Sequence, residues 1–161
     1  MGLTVDFVHN KQDEDSAVEL LYRLQQILSG FDVLGEATTG KGLKRSLREI
    51  VAWSPVLVAR LDDKIVGVAV LHINTQLSMD GFIKHNGPSG SIEMLIVDKD
   101  FRGRGIGKAL VKSAEEYFVH SGCVRIEIEY LENNRTAAEV YRKLGYLNDT
   151  RLVSKVISEN F

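Results

Sequence analysis

Arg102-Gly103-Arg104-Gly105-Ile106-Gly107 separates an apolar, strand-like run from an amphipathic, helix-like one. Glycines at alternate positions leave backbone N–H groups uncovered, and a helix starting here adds partial positive charge beside two arginines. Such a turn suits a phosphate. A dinucleotide fingerprint starting at Gly103 needs a glycine where Lys108 stands, and a P-loop ending in Gly107-Lys108 needs a glycine at Arg102 and a hydroxyl residue at Ala109. Neither spacing fits. What remains is an Arg-x-x-Gly-x-Gly turn whose N–H groups can wrap a pyrophosphate, with Arg102, Arg104 and Lys108 supplying charge.

Working outward, the run Leu95-Ile96-Val97-Asp98-Lys99-Asp100-Phe101 leads into this turn, and Asn134-Arg135-Thr136-Ala137-Ala138-Glu139-Val140-Tyr141-Arg142-Lys143-Leu144-Gly145-Tyr146 follows downstream. Together these segments resemble the strand, pyrophosphate turn and Asn-x-x-Ala-x-x-x-Tyr-x-x-x-Gly-(Phe/Tyr) segment of the GNAT acyl-CoA N-acyltransferases. The resemblance covers about residues 56 to 147. It implies acetyl-CoA as co-substrate and an amine as acceptor.

The 161 residues suit one domain spanning the whole chain, 1–161, with 44% hydrophobic and 26% charged content ordinary for a globular protein. A net charge of −2 argues against a nucleic-acid partner. The single cysteine, Cys123, rules out an internal disulfide and reads as a structural thiol at a strand start. No His or Cys has ligand spacing, so no metal is expected. Neither a leader-like segment nor an apolar run of membrane-spanning length is present, which gives the expectation of a cytoplasmic protein without a membrane partner.

Leu3–Val8 alternates as a strand, and apolar residues at helical spacing mark one helix over Asp13–Leu28 and another around Leu43–Val51, stopped by Pro55. Val56–Leu61 and Ile65–Ile73 form a hairpin about Asp62-Asp63-Lys64. A second, longer hairpin turns at Asp80-Gly81 and returns toward Val97, with a bulge or loop expected at Asn86–Gly90. A third helix over Gly105–Ser121 carries Leu110, Val111, Ala114, Tyr117 and Phe118 as its inner stripe. Val124–Tyr130 is a strand, Thr136–Leu144 a short helix, and Tyr146–Ile157 supplies one or two last strands. The expected fold is α/β: a mixed, mostly antiparallel sheet of 6–7 strands with helices on both faces, in the order β-α-α-β-β-β-α-β-α-β. The resemblance adds that the strands ending at Val97 and Tyr130 splay apart to admit pantetheine.

Acyl transfer from a thioester to an amine needs a held donor, a neutral amine, a donor to the oxyanion and a proton for the thiolate. By resemblance, the backbone of Leu95, Ile96 and Val97 binds pantetheine, with the Leu95 N–H facing the thioester oxygen. Arg102, Gly103, Arg104, Gly105, Ile106, Gly107 and Lys108 hold the pyrophosphate. Asn134 contacts the pantetheine arm, although its type equally suits a helix N-cap. Tyr141 matches the family's general acid and contacts the cofactor near its sulfur; on an amphipathic helix it also reads as a core tyrosine. Glu93, two residues before Leu95, is expected on the same side of the strand as a base, with a salt bridge or an ammonium anchor as the alternatives. Glu127 and Glu129 read as solvated or ion-paired carboxylates.

The acceptor site falls to segments that match no signature: Phe31–Thr39, the second helix and the hairpin from His72 to Ser91, carrying Asp32, Glu36, Asp80, His72, His85, Phe31 and Phe82. A small-molecule primary amine is the expected acceptor, with a protein amine as the less favoured form. A homodimer stays open. The contrasting reading is a regulatory module that binds CoA or acetyl-CoA without turnover; Tyr141 and Glu93 weigh against it, since a pure binder needs neither.

Overall fold

A computed structural model describes residues 2–29, 41–75, 87–130 and 134–148. Along the chain run β1 (Leu3–Phe7), α1 (Lys11–Ser29), α2 (Lys41–Trp53), β2 (Val56–Leu61), β3 (Lys64–Asn74), β4 (Ser89–Val97), a 3-10 turn (Lys99–Phe101), α3 (Ile106–His120), β5 (Arg125–Ile128) and α4 (Arg135–Lys143). The expected element order holds through α4. The sheet runs β1-β2-β3-β4-β5, antiparallel up to β4 and parallel between β4 and β5, with α3 as the crossover. Five strands are therefore described against the six or seven expected. Tyr146–Asn148 lies in no strand, and the rest of the expected final strands falls outside the described residues, as does the Asp80-Gly81 turn.

Strand alternation divides the core into two layers. Val56, Val58, Val68, Val70 and Ile96 face α1 and α2, where Ala17, Val18, Leu21, Leu47 and Val51 cover them. Leu57, Ala59, Ala69, Leu71 and Ile92 face the other way, onto Leu110, Val111, Ala114 and Phe118 of α3. Gly90 is a packing requirement of this second layer, because a Cβ there would lie 2.3 Å from Phe118 Cδ1. Asn10 begins α1 by accepting the Asp13 N–H at 3.0 Å, and the Asp13 carboxylate takes the Asn10 amide at 3.1 Å and Arg60 at 2.6 Å. Burial pushes the Asp13 carboxyl up, but the hydrogen bonds from Arg60 and the His9 N–H, with the Arg60 charge, outweigh it and hold it below its ordinary value.

Of the interruption expected at Asn86–Gly90, Asn86 lies outside the described residues, Gly87 and Pro88 are in no strand, and Ser89 and Gly90 already belong to β4; a bulge lies farther along. Strand β4 starts at Ser89, and its register breaks where Val70 faces Met94 but Leu71 faces Ile92, leaving Glu93 without a partner on β3. That bulge turns Ile92 and Leu95, three residues apart, onto the same α3 layer. The two-residue spacing from Glu93 to Leu95 therefore does not fix both on one face.

Candidate active site

The bulge also marks where β4 loses its second neighbour. The β4–β5 ladder covers Ser89–Ile92 against Arg125–Ile128 and stops, whereas β4 continues along β3 to Val97. Among the described residues no strand pairs with the far edge of Met94–Val97. The hydrogen-bond phase identifies which groups face this open edge. Asp98 N–H donates to Val66 O at 2.9 Å, so Gly67 and Val97 form a non-hydrogen-bonded pair, and two residues back Leu95 does too. The N–H and C=O groups of Leu95 and Val97 thus point away from β3 into the fork. Ile96 differs from the expectation: its backbone groups belong to the β3 ladder and its side chain is buried under α1 and α2.

Beyond Val97 the chain makes its 3-10 turn and reaches the glycines. Gly103 and Gly105 have φ of +76° and +78°, the left-handed region that favours glycine, and a Cβ on either would meet nothing within 4 Å. Gly105 is the N-cap of α3, no side chain caps it, and the first turn carries no acid. The first helical bond is Ala109 N–H to Gly105 O at 3.0 Å, which leaves the N–H groups of Ile106, Gly107 and Lys108 without helical acceptors. At Gly107 an added Cβ would make only ordinary contacts, 3.7 Å to Val97 Cγ2 and 3.9 Å to Leu95 Cδ2. Protein packing alone thus does not demand the open cradle. Its shape and polarity fit a diphosphate.

The cations are arranged less uniformly than their spacing suggests. Arg102 Nε donates to Val97 O at 3.1 Å, so it closes one acceptor of the fork. Arg104 lies over the Phe101 ring, Cζ 5.3 Å from the centroid, and Lys64 Nζ is 4.8 Å from that same centroid. Lys108 is exposed on the first turn of α3. The positive field at the cradle comes from the α3 N–H groups, Arg104, Lys108 and the Arg102 guanidinium.

Helix α4 brings Tyr141 into the cluster that holds Leu95 and Val97, although more than forty residues separate them. Tyr141 is 9% exposed, and no described residue hydrogen-bonds its hydroxyl. Burial, and secondarily Tyr130, push its phenol up, so it is protonated at neutral pH. Tyr130, expected from the sequence only as a strand end, packs against Tyr141 with tilted rings 5.5 Å apart between centroids and donates its hydroxyl to Asn148 Oδ1 at 3.0 Å. Its signal in the sequence is an aromatic two residues past the last β5 isoleucine. Asn134 is the N-cap of α4, its Oδ1 accepting Ala137 N–H at 3.1 Å. Glu93 is exposed at the bulge. Cys123 sits just before β5, half-buried, with burial pushing its thiol up, which suits a structural role. Of the acceptor residues named from sequence, His72 lies on β3; Phe31, Asp32, Glu36, Asp80, Phe82 and His85 fall outside the described residues.

The chain that builds this fork and cradle matches the model of the acetyltransferase (GNAT) family over residues 24–146. The chain belongs to this family. It is 40% identical over 63 residues to an N-alpha-acetyltransferase, MAK3, of Arabidopsis thaliana, a match covering 39% of this chain and 33% of that protein. It is also 40% identical over 63 residues to N-alpha-acetyltransferase 30 of Xenopus laevis, covering 39% and 23% respectively. The chain thus spans a third or less of these curated relatives. Among solved structures, that of AAC(6')-Iy in complex with a bisubstrate analogue of CoA superposes with a TM-score of 0.76 at 18% identity, covering 98% of this chain and 99% of the other. At that identity the likeness concerns the fold. Among the described residues no helix is long and apolar enough to cross a membrane.

Proposed function

We propose that this chain is an acetyl-CoA-dependent N-acetyltransferase that passes the acetyl group directly to a primary amine within a ternary complex. The observation that carries the reading is the continuity of the open β4 edge at Leu95 and Val97 with the uncapped cradle at Gly103–Lys108. A donor with two amides and a diphosphate would meet unpaired strand groups and then unpaired helix N–H groups in one path. Leu95 N–H stabilises the charge that develops on the thioester oxygen as the amine attacks. Tyr141 gives its hydroxyl proton to the departing thiolate; its upward shift makes it a weaker acid but guarantees that the proton is present. Glu93, exposed at the bulge, takes the proton from the incoming ammonium, directly or through water.

A small-molecule amine is the preferred acceptor, consistent with the compound named in the AAC(6')-Iy complex, whereas the two 40% relatives are named for α-amino acetylation. Thiol release from acetyl-CoA, measured against n-butylamine, spermidine, glucosamine and the amide of seryl-alanine, tests the reading. Turnover with at least one amine is expected. Acetyl-CoA binding without thiol release on any of them overturns it in favour of a non-catalytic CoA-binding module.

A further inference from the structure

Residues 98–102 join the last open group of the fork, on Val97, to the first glycine of the cradle, Gly103. Asp98 begins that link and is only 8% exposed. A carboxylate withdrawn from water is kept by its partners, and every polar group of Asp98 has one. Its N–H donates to Val66 O on β3 at 2.9 Å, and its C=O accepts the Phe101 N–H at 2.9 Å. Oδ1 accepts the Asp100 N–H at 3.2 Å, which caps the 3-10 turn over Lys99–Phe101. Oδ2 lies 3.6 Å from Arg23 Nη1 on α1, an ion pair longer than a hydrogen bond. One residue thus fastens the link to β3, to α1 and to its own turn.

The groups that hang from this turn belong to the cradle. Phe101, held through its N–H by Asp98, has Arg104 over its ring at 5.3 Å and Lys64 of β3 at 4.8 Å. Arg102, at the other end of the link, turns back onto Val97 O at 3.1 Å. A cap that served the turn alone needs no tie to α1. The added contact holds the turn against the body of the protein, and so sets where the cradle lies relative to the open edge of β4.

We propose that Asp98 is a positioning residue of the donor site: it fixes the path from the β4 edge to the cradle so that one donor molecule engages both. The proposal rests on the acetyltransferase reading and adds how the two halves of its donor site are kept in step. Two weak contacts on one molecule reinforce each other only while their spacing matches the ligand, and that advantage is lost when the spacing drifts. Loosening the turn therefore leaves each half able to bind and weakens their joint grip. Asp98 touches neither the thioester nor the diphosphate; it acts through Phe101, Arg102 and Arg104.

Steady-state kinetics on the wild type, Asp98→Ala and Asp98→Asn provide the test, with two donors and the best amine of the panel above. Acetyl-CoA needs fork and cradle, whereas S-acetyl-pantetheine carries the thioester and both amides but no diphosphate. In Asp98→Ala the KM for acetyl-CoA should rise about tenfold or more with kcat holding, within the roughly 10²-fold that a displacement of about 1 Å costs. Over the linear range at high enzyme concentration, kcat/KM for S-acetyl-pantetheine should stay within about twofold of wild type, because that donor has no second contact to lose. Asp98→Asn keeps an oxygen for the Asp100 N–H and should restore the acetyl-CoA KM. A general loss of stability acts on both donors alike and cancels in their ratio. An unchanged acetyl-CoA KM in Asp98→Ala, an equal fall for both donors, or failure of Asp98→Asn to restore the KM overturns the proposal and leaves the acetyltransferase reading standing. Absence of turnover with every amine removes that reading alone. Calorimetry then decides the positioning role: acetyl-CoA affinity should fall about tenfold in Asp98→Ala and hold in Asp98→Asn, and equal affinity in all three proteins overturns it.

Discussion

Replacing Gly105 by alanine separates the cost of backbone strain from the loss of a ligand cradle. The residue sits at φ +78°, ψ 2°, and an added methyl would meet no protein atom within 4 Å. The only intramolecular penalty is an L-residue in the left-handed region, roughly 1–2 kcal/mol. For a chain of this size that corresponds to a fall in Tm of about 2–8 °C. The methyl projects into the space where the diphosphate is proposed to lie, so acetyl-CoA affinity should fall by more than about tenfold, or ~1.4 kcal/mol. Gly90→Ala is the control. Its Cβ would lie 2.3 Å from Phe118 Cδ1, so overpacking of about 1–3 kcal/mol is expected, away from the cradle that is proposed to hold the diphosphate. Thermal unfolding and isothermal titration calorimetry with acetyl-CoA read the two quantities independently. Gly105→Ala should lose affinity out of proportion to stability, and Gly90→Ala should do the reverse. Wild-type affinity in Gly105→Ala refutes the cradle; equal losses of affinity in both variants mean that the effect is general loosening.

Tyr141→Phe should fold and bind acetyl-CoA normally but lose about 10²–10⁴-fold in kcat, measured by thiol release; an unchanged kcat removes Tyr141 as the acid. Asn134→Ala deletes the α4 cap and should lower stability by about 1 kcal/mol in denaturant unfolding. Its acetyl-CoA affinity should fall only if the side chain also reaches the pantetheine arm, the role that the family resemblance suggests. The Asp13 carboxyl, held below its ordinary 3.8 when folded, adds stability above that pH that is lost as pH falls through the folded value. Asp13→Asn should therefore be less stable at neutral pH and show a shallower acid limb; an identical limb means the Arg60 contact contributes nothing.

Parts of the candidate site were legible from the residues because they are encoded as types: glycines for positive φ, an Asn for a cap, a Tyr for a buried aromatic. Gly103, Gly105, Asn134 and Tyr141 all occupy conformations that suit those types. Where geometry depends on pairing, the residues alone do not decide. A bulge at Glu93 interrupts the alternation toward Leu95, and the backbone of Ile96 is committed to β3. Arg102 and Arg104 look equivalent, yet one closes Val97 O and the other lies on Phe101.

By itself the sequence determined the order of elements through α4, the turn at Arg102–Gly107 and the family to which they belong, because each is set by local periodicity, local backbone freedom or contiguous motifs. Only the tertiary structure decided which groups of β4 stand open, and that Asp98 meets β3 and α1 at once. Register is a relation between strands distant in the chain, and a one-residue slip or bulge reassigns every face beyond it. No local signal carries that information; the packing of α1, α2 and α3 against the two faces fixes it.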